Sequence, residues 1–183
     1  MKALESLHTR NSSPRLTGRV EPDQLDEIIR AGLRAPDHGQ LRPWKIIAIE
    51  GDARLRLGDL FVRAKLESGE TLTPEQTEKL RNKPLRAPVV LAVAAVVKEH
   101  PKVPEVEQVL SAGALVQNML LAAHAQGLGA MWRTGSMAYD PVVREGLGLQ
   151  DNEQLVAFLY IGEIAGRLKS LPDHDLAQFV VRW

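Results

Sequence analysis

The stretch EVEQVLSAGALVQNMLLAAHAQ, residues 105–126, decides the fold of this chain. As one helix it would be about 33 Å long, and Gly127 is a natural stop. Across residues 109–123 only three side chains carry polar groups: Ser111, Gln117 and Asn118. A surface helix would show a full polar stripe. This helix must therefore be buried on several sides, either as the central helix of a monomer or with a second subunit covering part of its surface.

Shorter patterns on both sides of this stretch predict alternating helices and strands. Helical spacing and helix-start signals predict helices at residues 2–9 and 22–35 and others beginning at 52, 73 and 140. Apolar runs predict strands at residues 44–50, 88–97 and 155–161, and 129–134 is expected to be a short strand or extended loop. The fold class expected from these elements mixes helices and strands in one domain, residues 1–183.

Two further segments give local predictions. Thr73-Pro74-Glu75-Gln76 offers an N-cap hydroxyl, a proline at the first helical position and a glutamine that can reach back as a capping box. Everything after Gly162 reads as an irregular tail with late apolar residues. Apolar residues at a chain end rarely stay in water, so we expect the tail to dock on its own sheet or on a partner.

Composition narrows the class of protein. The chain has 183 residues, 44% hydrophobic and 25% charged, which is ordinary for a globular domain. Lys plus Arg equals Asp plus Glu at 23 each, so no net charge favours nucleic acid or an anionic membrane. No apolar run of signal-peptide length begins the chain, and the run 89–97 is too short to span a bilayer. We expect a cytoplasmic protein that binds neither nucleic acid nor membrane.

The chain lacks the residues and motifs that several common types of catalytic or metal site require. The chain has no cysteine, and its five histidines show no metal-ligand spacing, so we expect no metal site. Walker, dinucleotide-fingerprint, zinc-protease and nucleophile-elbow motifs are all missing. We therefore predict no catalytic side chain from motifs.

Arginines beside small polar residues recur in three loop segments, and this pattern suits a phosphate monoester. The segments are Arg10-Asn11-Ser12, Arg34 with Asp37-His38-Gly39-Gln40, and Trp132-Arg133-Thr134. Trp44 and Trp132 could wall a flat aromatic cofactor. A lone arginine at a helix end is more often a solvated cap, and a tryptophan near a strand start is more often core. Spacing alone therefore favours those ordinary roles.

In their order along the chain these segments resemble the FMN-dependent nitroreductase family, and most closely its short NAD(P)H nitroreductase branch. Arg10-Asn11-Ser12 is similar to the family's Arg-Arg-Ser, and residues 31–44, with Ala35-Pro36 and Pro43-Trp44, resemble its Ala-Pro and Gln-Pro-Trp segment. Residues 111–129 resemble the long central helix that ends in Gly-Leu-Gly. The segments 132–135 and 159–162 resemble its next loop and final strand.

The resemblance implies an α+β fold, with a mostly antiparallel central sheet flanked by helices and the long central helix at a homodimer interface. It also implies two FMN molecules per dimer, each lined by both subunits. Arg10, Asn11 and Ser12 then fall at the phosphate and ribityl chain. Trp132, Arg133 and Thr134 fall beside the phosphate and isoalloxazine. The other subunit contributes three residues: Arg34, His38 and Gln40.

The same resemblance implies a reaction. NADH or NADPH delivers hydride to flavin N5, and a small electron acceptor such as a nitroaromatic or quinone is reduced in a ping-pong cycle. Arg10 or Arg34 would supply positive charge near the flavin, and a backbone N–H within 131–135 would donate to N5. Residues 63–83 are the expected variable region over the substrate.

Departures from the family pattern leave individual contacts open. Asn11 replaces a second arginine, Gln40 stands where asparagine is common, and Arg42 where glutamine is common. The alternatives are a dehydrogenase or reductive dehalogenase of the same fold, a non-catalytic flavin-binding dimer, and a structural dimer without a site.

Overall fold

A computed structural model describes residues 2–183 of the chain. The helices are α1 (Ala3–Thr9), α2 (Pro22–Gly32), α3 (Ala53–Glu67), α4 (Pro74–Arg81), α5 (Glu105–Ala125) and α6 (Pro141–Gly146). The strands are β1 (Leu16–Thr17), β2 (Trp44–Glu50), β3 (Val89–Val96), β4 (Gly129–Arg133) and β5 (Glu153–Ile164). Short 3₁₀ turns lie at His38–Gln40, Lys83–Arg86, Ser136–Ala138 and Leu176–Gln178.

The strands form one open sheet whose centre is β5. Strand β5 pairs with β3 on one side and β4 on the other, β2 pairs with β3, and the two-residue β1 pairs with the end of β5. All these strand pairs are antiparallel. The expected α+β fold with a mostly antiparallel sheet is therefore confirmed, and β2 and β4 lie at opposite edges.

Helices cover both faces of the sheet because β3 and β5 are apolar on both sides. One face packs against α3, α4 and α6 around Phe61, Leu57, Val143 and Phe158. The other face packs against α2 and α5 around Ile28, Leu115 and Met119. Continuous apolar strands are what a doubly covered sheet requires.

Helix α5 is the long helix expected from the sequence, and its middle is buried on the sheet. Leu115, Val116 and Met119 have no exposed surface. Its length and mean hydropathy of 1.2 would also suit a membrane span, but the core helix of a globular protein passes the same test. At its N-terminal half Val106 and Leu110 remain 61% and 67% exposed, so one chain does not cover the whole helix.

The capping box at α4 is confirmed. Thr73 Oγ1 accepts from the Gln76 N–H at 3.2 Å, and Gln76 Oε1 accepts from the Thr73 N–H at 2.8 Å. Helix α2 ends at Gly32, three residues earlier than Pro36 alone suggested, because residues 33–35 form a turn closed by Arg34 N–H to Ala31 O.

The tail after β5 lies on the outside of the chain. Leu171, Leu176, Phe179 and Trp183 are all exposed, and Trp183 is fully so. The tail therefore does not dock on its own sheet, and docking on a partner stays a prediction.

Candidate functional site

A pocket of about 460 Å³ opens beside β4, on the face of the sheet that carries α3 and α4. Because β3 and β4 both pair with β5, the turn that precedes β3 comes close to β4. Lys83 and Arg86 on that turn thus meet Arg133, fifty residues later in the sequence. We call this the cationic pocket; its lining residues are Phe61, Lys83, Arg86, Met131, Trp132, Arg133, Thr134, Gly135, Ser136, Met137, Phe158 and Tyr160.

The electrostatics of the cationic pocket favour an anion. Burial and the neighbouring Arg86 lower the pKa of Lys83. Burial raises the pKa of Tyr160, and the positive charges of Arg133 and Arg86 partly oppose that rise. Among residues 2–183, the pocket lining holds three cations and no carboxylate. Cations gathered without counter-charges are costly unless a ligand supplies the negative charge.

Arg133 is the most telling member of the pocket. Its guanidinium lies over the Tyr160 ring, 5.6 Å from the centroid, and its Nε is buried without a hydrogen-bond partner. A buried guanidinium N–H left unpaired costs free energy, so it is an open donor for an incoming group.

The walls of the cationic pocket suit a flat aromatic ring. Met131 and Met137 are partly or fully buried there, and Phe158 packs edge-on against Phe61 with ring centroids 5.4 Å apart. Gly135 has φ +62°, a conformation that glycine adopts without strain. The loop after β4 therefore turns sharply beside the pocket.

The first predicted segment, Arg10 to Ser12, lies along the same strand. Ser12 forms a parallel bridge with Ala130, and the Ser13 N–H donates to Ala130 O at 3.1 Å. Arg133 follows Ala130 by three positions, about 10 Å along β4. The structure thus brings the first and third predicted segments to one edge of the sheet. Asn11, the departure from the family pattern, donates its Nδ2 to Lys169 O in the tail at 2.6 Å.

The two tryptophans considered as cofactor walls lie apart. Trp132 and Thr134 line the cationic pocket and also a neighbouring hollow of about 630 Å³. Trp132 Nε1 donates to Val156 O at 2.9 Å. Trp44 begins β2 at the opposite edge and packs with the cluster under α2 and α5. It does not reach the cationic pocket of its own chain.

The second predicted segment lies on the other face of the sheet. Arg34, His38 and Gln40 are exposed on the connection between α2 and β2, which rests on the N-terminal half of α5 through Ser111 Oγ to Pro36 O at 2.7 Å. A single chain therefore does not bring these three residues to the cationic pocket.

Sequence reasoning missed Lys83, Arg86 and Tyr160. Lys83 and Arg86 belong to no motif, and Tyr160 was noted only as part of the segment 159–162. Strand pairing is what brings all three to Arg133. A usable signal was the pair of cations in Lys83-Pro84-Leu85-Arg86, directly before an apolar strand. Lys83 is also the last residue of the region expected over the substrate. Within residues 2–183, no cluster of three or more His, Asp or Glu could hold a metal ion.

Fold and pocket together define a class: α+β proteins with a long apolar helix under an open antiparallel sheet and a small-molecule pocket at the sheet edge. The family model described as "Nitroreductase family" matches residues 16–163. The chain belongs to this family of oxidoreductases, and the resemblance stated from the sequence is confirmed.

One sequence relative and two solved structures of the same fold illustrate these similarities. YdjA of Escherichia coli (strain K12), assigned as an NAD(P)H nitroreductase, is 42% identical over 166 residues, which are 88% of each chain. A nitroreductase-like family protein from Bacillus cereus is similar in structure with a TM-score of 0.87, at 23% identity over 100% of this chain and 96% of that one. A nitroreductase from Bacteroides fragilis NCTC 9343, solved with bound FMN, has a TM-score of 0.76 at 22% identity over 100% of both chains.

Proposed function

We propose that the protein is a cytoplasmic, homodimeric FMN enzyme that uses NADH or NADPH to reduce a nitroaromatic, quinone or similar small acceptor. One observation carries this proposal: Lys83, Arg86 and the unpaired Nε of Arg133 converge on an aromatic-walled pocket without an acidic residue in its lining. The names of the relatives above support the reaction class, and the Bacteroides fragilis protein has the same fold with FMN bound.

The residues present fit the cofactor. Arg10, Asn11 and Ser12 lie at the start of β4 and would hold the phosphate and ribityl chain. Trp132, Arg133 and Thr134 lie at its end and would flank both the phosphate and the isoalloxazine, with the ring resting on the pocket wall. The volume of about 460 Å³ is within the range of small-molecule sites.

Bound FMN would supply the redox chemistry, taking hydride at N5 from NAD(P)H and passing it to the acceptor in a ping-pong cycle. The chain contributes binding and electrostatics. Lys83 and Arg86 join Arg10 and Arg34 as our candidates for the charge that stabilises negative charge developing on the ring. Gly135 and its neighbours contribute backbone N–H groups at the loop. No side chain is required as a catalyst.

The homodimer is supported by apolar surface that one chain leaves in water. Val106 and Leu110 on α5, Leu4 and Leu7 on α1 and the apolar tail residues are all exposed. A second copy would cover them and would bring its own Arg34, His38 and Gln40 to the cationic pocket. Large exposed apolar side chains in such number indicate an interaction site.

The experiment is an absorption spectrum of the purified protein between violet and blue, with its mass in solution. We expect a yellow dimer, or an apoprotein whose Tm rises when FMN is added. NADPH oxidation with and without a nitroaromatic then separates an enzyme from a non-catalytic flavin carrier. A colourless monomer that ignores added FMN contradicts the proposal.

A further inference from the structure

The loop at residues 36–42, which we call the anchored loop, is exposed yet held in one shape. Ser111 Oγ donates to Pro36 O at 2.7 Å, and the Arg42 N–H donates to Asp37 Oδ2 at 2.6 Å. Lys98 Nζ donates to Leu41 O. The side chains of Ser111, Asp37 and Lys98 thus form hydrogen bonds with backbone groups of the loop that water could otherwise have hydrogen-bonded.

The anchored loop also stores backbone strain. Gln40 and Arg42 have φ of +53° and +49°, and they are the non-glycine residues with positive φ within the described part of the chain. Each such residue costs about 1 kcal/mol or more and persists only where its surroundings impose it. Strain of this kind is concentrated at ligand-binding sites.

Within this loop His38 forms a pair with Glu107, which lies in the first turn of α5. His38 Nδ1 lies 2.6 Å from Glu107 Oε2. An ionised carboxylate can only accept, so Nδ1 carries the hydrogen and donates it. The pair fixes the imidazole ring, and Nε2 remains as the nitrogen directed to other partners.

The pair is poorly placed to stabilise the fold. The His38 and Glu107 side chains are 74% and 39% exposed, and ion pairs this exposed contribute little to the free energy of unfolding. The free energy of unfolding therefore does not explain why the pair is held in this geometry.

We infer that Glu107 is a positioning residue, which holds His38 so that Nε2, free to accept a hydrogen bond, meets the ribityl hydroxyls of the flavin in the pocket of the partner subunit. This inference rests on the proposed function. A hollow of about 300 Å³ at the pair gives a ligand hydroxyl room to approach His38; its lining residues are Pro36, His38, Glu107, Leu110, Ser111 and Ala114. Glu107 itself does not touch the ligand.

The test compares Glu107→Gln with Glu105→Gln, a matched control that removes a carboxylate from the same helical turn without contacting His38. FMN affinity is measured by fluorescence quenching, and ¹⁵N NMR of the apoprotein reports which ring nitrogen of His38 carries hydrogen. We expect Glu107→Gln to weaken FMN binding about tenfold and to mix the His38 tautomers. Glu105→Gln should leave both unchanged.

A double-mutant cycle gives the sharper readout. If Glu107 acts through His38, adding Glu107→Gln to His38→Ala weakens binding no further than His38→Ala alone. Additive losses, equal losses in the Glu105→Gln control, or unchanged FMN affinity in Glu107→Gln would overturn the inference. Should Glu107→Gln fail to fold, a wild-type His38 with hydrogen only on Nε2 overturns it equally.

These outcomes are distinct from failure of the proposed function. A wild-type protein that binds no FMN refutes the cofactor itself. A wild-type protein that binds FMN normally, with affinity indifferent to His38→Ala, refutes only the positioning role.

Discussion

The cationic pocket and the anchored loop are built in opposite ways. The cationic pocket is assembled by strand pairing from residues far apart in sequence, and its charges are left without partners. The anchored loop is short, and side chains of α5 and the loop itself satisfy its groups. The cationic pocket therefore needs a negatively charged ligand to balance its cations. The anchored loop holds its shape without a ligand and only presents a surface for one. The two lie on different faces of one chain, and in the proposed dimer a second copy would join them.

The largest effect is expected from a variant that disrupts the proposed dimer and so keeps the two regions apart. Leu110→Glu places a charge on the exposed face of α5, and two-fold symmetry would introduce it twice. A buried unpaired charge costs about 3–5 kcal/mol, so we expect the dimer Kd to rise more than a hundredfold, with FMN lost. Sedimentation velocity and the flavin absorbance measure both.

The matched control for Leu110→Glu is Leu66→Glu on α3, since Leu66 is also exposed, at 53%. It should remain a yellow dimer. A dimeric, flavin-bound Leu110→Glu protein would place the subunit interface elsewhere.

The next largest effect removes the open donor of the cationic pocket. Arg133→Ala loses charge-assisted hydrogen bonds worth about 2 kcal/mol to an anionic ligand, so FMN affinity should fall roughly thirtyfold. Titration of the apoprotein with FMN measures it, with Arg63→Ala on the outer surface as control. Equal affinities of wild type and Arg133→Ala would remove Arg133 from the site.

Lys83 gives a smaller effect with a characteristic pH dependence. Burial and Arg86 lower its pKa from the ordinary 10.5, so the folded apoprotein binds this proton less tightly than the unfolded chain. The charged lysine therefore destabilises the apoprotein at neutral pH, and that cost fades as pH rises through the lowered pKa towards 10.5. Lys83→Met should raise the Tm of the apoprotein at pH 7 and make no difference above pH 10.5.

The same Lys83→Met variant should bind FMN about tenfold more weakly, because the ligand loses a cation. Stability gained and affinity lost together are the mark of a residue kept for function. Lys102→Met on the exposed connection before α5 is the control and should change neither, since Lys102 is not among the charges that act on Lys83. A Lys83→Met apoprotein less stable than wild type at pH 7 would contradict this account of the pocket.

The sequence predicted the local structure better than the site. Helix α5 and the Thr73 capping box follow from residues close together in the chain, so periodicity and caps suffice to predict them. The apolar runs that predict the strands are also local patterns. Strand β5 is longer than expected, since it spans Glu153–Ile164 where the sequence predicted 155–161. Arg133 could be proposed from the family resemblance.

The meeting of Lys83 and Tyr160 with Arg133 could not be predicted, because no local pattern shows which strands pair. The same limit explains Trp44, which resembles Trp132 as an aromatic residue at a strand but lies at the opposite edge of the sheet. The contacts of Arg34, His38 and Gln40 with a partner subunit remain a prediction of the resemblance.

The smallest expected effect tests whether the anchored loop is fixed by single bonds. Ser111→Ala removes the hydroxyl that holds Pro36 O and costs about 1 kcal/mol, a fall in Tm of roughly 2–4 °C for a chain of this size. Ser68→Ala is the control, since Ser68 Oγ also donates to a carbonyl, Lys65 O at 2.8 Å, but on the open surface. Because Asp37, Glu107 and Lys98 still hold the loop, FMN affinity should fall no more than about threefold. A loss as large as that of Arg133→Ala would mean that the loop depends on one anchor, and the contrast between a self-sufficient loop and a ligand-dependent pocket would then be wrong.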